Sequence, residues 1–151
     1  MELVIPNKKY YISYLEAIDE YKSNGIEEYS FYFTSENDIF KQYEYSRLGK
    51  NLPPNYVAGT YLWLVDANEF IGEICIRHTL TEELLHFGGH ISYGVRYSAW
   101  NRGFGTSMLS KALVYAKETL GLERVLITCN EKNVASASII EKNGGKLQDT
   151  I

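Results

Sequence analysis

Ten residues, Trp100-Asn101-Arg102-Gly103-Phe104-Gly105-Thr106-Ser107-Met108-Leu109, constrain this chain more than any other stretch. Upstream, His90-Ile91-Ser92-Tyr93-Gly94-Val95-Arg96 alternates apolar and polar residues around a glycine, as a half-buried strand does. Downstream, Met108, Leu109, Ala112, Leu113, Ala116 and Leu120 recur at helical spacing, and Gly121 closes the run. A strand, a glycine turn and a helix start form a device for holding a phosphate. The glycines let the backbone approach closely, the first amides of the helix have no partner within it, and the helix dipole favours negative charge. Arg102 adds a fixed cation. The pattern points to a phosphorylated ligand. A nucleotide fold fits less well, because no third glycine completes the dinucleotide fingerprint and no Gly-Lys-Ser/Thr makes a P-loop.

The rest of the composition narrows the class. With 151 residues, 45% of them apolar, the expectation is one domain with a real core. Nineteen acidic against fifteen basic residues leave a net charge of -4, which argues against non-specific nucleic-acid binding. No apolar run approaches a membrane span, and Met-Glu-Leu-Val-Ile-Pro-Asn-Lys-Lys has no signal-peptide core. Cys75 and Cys129 both sit in apolar, strand-like runs without an adjacent His or Lys. They read as buried, reduced thiols in a cytoplasmic protein rather than as nucleophiles.

Along the chain, Leu3-Val4-Ile5-Pro6 predicts a short first strand. Tyr11, Tyr14, Leu15, Ile18 and Tyr21 share one face of a helix over 8–22 that Asn24-Gly25 ends. A second helix is expected over 36–48, with Ser35 as cap and Gly49 as stop. The runs 61–65 and 70–77 flank Asp66-Ala67-Asn68-Glu69 and predict a hairpin. A polar loop with Gly88-Gly89 then leads into the 90–96 strand. Arg124-Val125-Leu126-Ile127-Thr128-Cys129 reads as a short buried strand, and Asn133 as the cap of a helix through Lys142 that Gly144-Gly145 terminates. Residues 146–151 read as the opening of another strand. Strands followed by strand-helix-strand-helix suggest an α/β fold, a mixed sheet with helices on both faces.

These residues resemble the GNAT superfamily of acyl-CoA-dependent N-acetyltransferases, from Tyr61 to Leu147 and more loosely throughout. The likeness is narrower to a bacterial branch marked by Ile76-Arg77-His78, Gly88-Gly89-His90-Ile91, Arg96-Tyr97-Ser98 and Leu126-Ile127-Thr128-Cys129-Asn130. The superfamily's pyrophosphate motif (Arg or Gln, two residues, Gly, one residue, Gly or Ala) falls on Trp100, Gly103 and Gly105. Both glycines match, while Trp100 takes the Arg/Gln position. The later motif falls on Asn133, Ser136 and Gly144.

The resemblance implies a mostly antiparallel, twisted sheet with a V-shaped splay between the 91–96 and 125–129 strands. It implies acetyl-CoA as co-substrate, no metal, and direct attack by a primary amine of a small molecule or peptide. Backbone groups of Tyr93, Gly94 and Val95 would pair with pantetheine as an added strand would. Amides of Gly103, Phe104, Gly105 and Thr106, with Arg102, would hold the pyrophosphate. Asn133 and Ser136 would line the arm near the thioester, and an N–H near Val95 would meet the oxyanion. The tyrosine that many members carry seven residues after the motif asparagine is here Ile140, leaving Tyr93 and Tyr97 as the alternative acids. The whole of 1–151 is expected to be one N-acetyltransferase domain that lacks the usual final strand or strands, with a homodimer covering the bare sheet edge.

The base is harder to find. An amine of pKa near 10.4 is only about one part in two thousand neutral at pH 7, so acyl transfer needs a proton acceptor. Glu73 and His90 are the candidates, with His78 beside them; on a strand Glu73, Cys75 and Arg77 share one face and His78 the other. Ten of the thirteen tyrosines lie between Tyr10 and Tyr61, either as core packing or as an aromatic acceptor pocket. A catalytically silent acyl-CoA-binding sensor or interaction module is the rival function.

Overall fold

The computed structural model describes residues 1–26, 31 and 38–150. Its centre is the hairpin of β2 (Gly59–Asp66) and β3 (Glu69–Arg77). Ala67 and Asn68, at φ 48° and 64°, make the two-residue turn whose twist matches that of paired strands. β1 (Glu2–Val4) and β4 (Ile91–Val95) flank the hairpin, giving an antiparallel sheet in the order β1-β2-β3-β4. The register slips between Leu64 and Val65, where Leu64 faces Gly72 and Val65 faces Phe70. That bulge lets Phe70 and Glu73 share a face.

Alternation along the strands then builds two cores. On one face, Trp63, Val65 and Phe70 meet α1 (Tyr11–Ser23) and α2 (Ile39–Leu48). Tyr14 stacks on Trp63 at 4.9 Å between ring centres, and Phe31 and Phe70 pack edge-on at 5.2 Å. The buried tyrosines Tyr10, Tyr14, Tyr21 and Tyr43 therefore belong to packing, while Tyr29 and Tyr32 lie outside the described residues. On the other face, Leu62, Leu64, Ile74, Ile76 and Ile91 pack on Met108, Leu109, Ala112 and Ala116 of α4 (Phe104–Glu118). The fold is the expected α/β arrangement with helices on both faces.

Several expectations need correction. The second helix begins at Ile39, and Asp38 Oδ1 caps it by accepting from Phe40 N at 2.9 Å; Ser35 and Glu36 lie outside the described residues. The loop before β4 contains a short helix, α3 (Glu82–His86), capped by Thr81. The 124–129 run forms no ladder among the described residues. It touches the sheet through the Ile127–Gly89 bridge and the bond from His90 N to Leu126 O, while side chains take up the Gly88 and Leu126 amides beside them. Cys129, just beyond that bridge, is exposed rather than buried. Residues 146–150 form no strand either, having no ladder beside them to extend. The last helix, α5 (Val134–Lys142), runs as expected from an Asn133 cap.

Candidate active site

The glycine turn is built as its sequence demands. Gly103 adopts φ 81° at the mouth of α4, a conformation that L side chains resist, and Asn101 before it sits at φ 60°. The first helical bond runs from Ser107 N to Gly103 O, so the amides of Phe104, Gly105 and Thr106 point outward from the helix end. Arg102 lies over the Phe104 ring at 5.2 Å. Gly105 has a second duty: a Cβ there would stand 2.7 Å from Ile139 Cδ1, where α4 crosses α5. Beside this turn, Thr106, Ser107, Ser110, Lys111, Lys142 and Asn143 line a groove of about 380 Å³. The two lysines come from different helices, α4 and α5 (Val134–Lys142), so no local sequence pattern joins them.

A second groove opens beside β4. Arg96 N donates to Ile71 O at 2.8 Å, so by alternation Ser92, Gly94 and Arg96 turn their backbone toward β3. Ile91, Tyr93 and Val95 turn theirs to the open side. The 124–129 segment meets that side only at its start, near Gly89, and no ladder follows among the described residues. This is the splay. The Val95 carbonyl accepts from the Tyr21 hydroxyl and from Trp100 Nε1 at 2.8 Å, which leaves the Val95 N–H and both Tyr93 groups for a ligand. Trp100, in the Arg/Gln position of the motif, thus serves the end of β4. Across the groove, the Tyr93 hydroxyl and Ser136 Oγ lie 2.7 Å apart, and Asn133 Oδ1 accepts from Ser136 N at 3.0 Å. Ile140 packs into the apolar core, and Tyr97 stands against Trp100 with ring centres 4.9 Å apart.

The candidate bases fall in three places. Glu73 is 1% exposed, faces Gly94 across the β3–β4 pairing, and accepts from Tyr43 Oη at 2.5 Å and Trp63 Nε1 at 3.0 Å. Burial and the Glu73 charge push the Tyr43 hydroxyl far above its ordinary pKa, so Tyr43 stays a donor. His78 Nε2 lies 2.7 Å from Thr60 Oγ1 on the opposite face. His90 sits where β4 begins, with Nδ1 accepting from Leu126 N at 3.0 Å. Burial pushes the Cys75 thiol up to about 12, which fits a structural residue.

A helix start with outward-facing amides thus stands beyond the open side of β4. The Acetyltransferase (GNAT) domain family model matches residues 25–146, and the chain belongs to that family. Neither the curated proteins nor the solved structures contain a match. Among the described residues, no group of His, Cys, Asp and Glu is placed to hold a metal, and no helix is long and apolar enough to cross a membrane.

Proposed function

We propose that this acetyltransferase takes its acetyl group from acetyl-CoA and passes it to a primary amine of a small molecule or peptide by direct attack. The observation that carries the reading is the continuity of one path: the free Tyr93 and Val95 backbone groups lead along β4 to the outward amides of 104–106. The path fits the parts of coenzyme A in order. Tyr93 N–H and C=O pair with the pantetheine amides. The amides of Gly103 to Thr106 and Arg102 hold the pyrophosphate, and Lys111 and Lys142 face the remaining phosphate in the 380 Å³ groove. Gly94, Asn133 and Ser136 shape the groove walls.

Val95 N–H donates to the carbonyl oxygen as charge develops there. The neutral amine nitrogen bonds to the acetyl carbon, the carbon–sulfur bond breaks and the sulfur leaves as thiolate, and the proton that the nitrogen sheds as the amide forms passes through water to that thiolate. Glu73, one strand away from Val95, is the acceptor of the ammonium proton. His90, the other candidate, has no nitrogen left for that task while the Leu126 bond holds, because Nδ1 accepts from Leu126 N and the ring proton then sits on Nε2.

A specific observation also favours the silent acyl-CoA-binding module. Glu73 is sealed between Tyr43 and Trp63, as a structural carboxylate is. One experiment separates the two. Incubation with acetyl-CoA and a panel of amines, followed by thiol titration, is expected to release free coenzyme A, and Glu73→Gln is expected to cut kcat/KM by about a hundredfold or more while leaving coenzyme A affinity unchanged. Tight binding without thiol release on any amine favours the sensor. Gly105→Asp is a poor probe of the anion site because it collides with Ile139; Lys111→Glu tests it without touching the packing.

A further inference from the structure

At the closed end of the splay, six residues tie its two arms together. Arg77 Nη1 donates to the carbonyls of Gly88 (3.3 Å) and Gly89 (3.0 Å), and Arg77 N donates to His90 O at 2.6 Å. Gly88 N donates to Thr128 Oγ1 at 2.8 Å, and His90 N to Leu126 O at 2.8 Å. Leu126 N returns the bond to His90 Nδ1 at 3.0 Å. The junction is tight: a Cβ on Gly89, already at φ 59°, would stand 2.5 Å from Leu126 O. A backbone N–H can only donate, so the Leu126 bond requires an unprotonated Nδ1 and places the ring proton on Nε2.

We infer that His90 is a positioning residue: its neutral imidazole latches the 124–128 segment to the start of β4, and protonation of the ring releases that arm and so loosens the coenzyme A groove. The inference rests on the proposed placement of coenzyme A in the splay. When Nδ1 gains a proton, two donors face each other where one bond stood, and a cation appears beside the Arg77 guanidinium. The other groups around the ring do not compensate. The 88–89 turn offers backbone, the 126–128 segment offers backbone and the Thr128 hydroxyl, and Arg124 and Cys129 at the ends of that segment are exposed, as are Glu82, Glu83 and His86 on α3. Burial first, and Arg77 second, hold the ring below the ordinary imidazole range. The latch therefore holds above about pH 6.5 and opens as pH falls through the folded value.

His90→Asn keeps an acceptor at the Nδ1 position and removes the titration; His90→Leu removes both. Three readouts on the full chain test the latch: the nitrogen shifts of the His90 ring, exchange of the Leu126 amide against pH, and calorimetric affinity for coenzyme A between pH 7.5 and 5. The expected result is an Nε2–H tautomer at neutral pH and a Leu126 protection factor, corrected for intrinsic exchange, that falls as His90 is protonated. Wild-type affinity should fall about tenfold more than that of His90→Asn. Comparing the two proteins cancels the titration of the ligand's own phosphate. An Nδ1–H tautomer, a Leu126 protection factor that does not change with pH, or identical affinity profiles in wild type and His90→Asn would overturn the inference. If coenzyme A does not bind at any pH, the proposed function fails instead, and Leu126 exchange alone decides the latch. His90→Leu, if folded, should show fast Leu126 exchange at every pH; slow exchange there also overturns it.

Discussion

Arg96 is nearly buried, yet its guanidinium has no lack of partners. It donates to both Glu20 oxygens, to Phe70 O at 2.9 Å and to Ser13 Oγ at 3.2 Å, while Ser98 adds two donors to the same carboxylate. This cluster ties α1 to the chain immediately after Val95, the residue on which the proposed oxyanion contact depends. Glu20→Gln leaves the cation without its counter-charge. Because Glu20 keeps 25% of its side chain in solvent, the loss should be about 2 kcal/mol, between exposed and fully buried pairs, read by urea denaturation. The pH dependence has a definite sign. Burial works to raise the Glu20 pKa, but the bonds from Arg96 and Ser98 outweigh it and hold the carboxyl below its ordinary value. Its contribution is therefore complete above the unfolded carboxylate range and vanishes as pH falls through the lower folded value, so the gap between wild type and variant should narrow steadily on acidification. A gap that stays constant down to pH 3 would refute the ion-pair account. None of this was legible in the sequence, where the partners lie 76 positions apart. Asn133 and Gly103 were legible, because a cap and a left-handed glycine act within three residues of themselves.

Elements were legible in proportion to how local their causes are. α4 and α5 carry their own periodicity and end at their own glycines, and the hairpin carries its own turn. The 124–129 run has the apolar content of a strand, yet a ladder depends on a neighbour that the local sequence does not specify; here a histidine ring and a threonine hydroxyl stand in for it. α3 is too short, at five residues, to show a period, and its one local signal is Thr81 followed by Glu82 and Glu83, a helix start. For α5 the open question is whether Asn133 only caps. Asn133→Ala should cost about 1 kcal/mol, and Asn133→Asp should restore that stability by keeping the oxygen acceptor. Coenzyme A affinity by calorimetry then separates the roles. If Asn133→Asp is as stable as wild type but binds at least tenfold more weakly, the side chain faces the ligand; equal affinity reduces Asn133 to a cap.

At the scale of the molecule, the chain divides into a strongly held part and a lightly held one. The hairpin, α1 and α2 share a dense aromatic core, whereas α5 has no fully buried residue. The ties of α5 to the rest include the Ile139 contact at Gly105, Asn143 Nδ2 donating to Thr106 O at 3.2 Å, and the Tyr93–Ser136 pair. The plan of a sheet with helices on both faces was legible from the order of strand and helix runs. The division in stability was not, since it depends on which faces end up covered. The proposed coenzyme A path runs along the seam between these parts, touching β4, α4 and α5 at once. A ligand there should act as the missing layer. At about one hundred times its Kd it should add about 2.7 kcal/mol and raise Tm by about 5–11 °C. Elements with few buried contacts open first, so the added protection should also be uneven. In hydrogen exchange, α5 and the 124–129 segment should slow far more than β2, β3 and α1. Lys111→Glu should lose most of the Tm gain without changing the unliganded Tm by more than about 2 °C. A gain in Tm with protection confined to the α1–α2 face would place the ligand elsewhere, and no gain at all would remove coenzyme A from the groove.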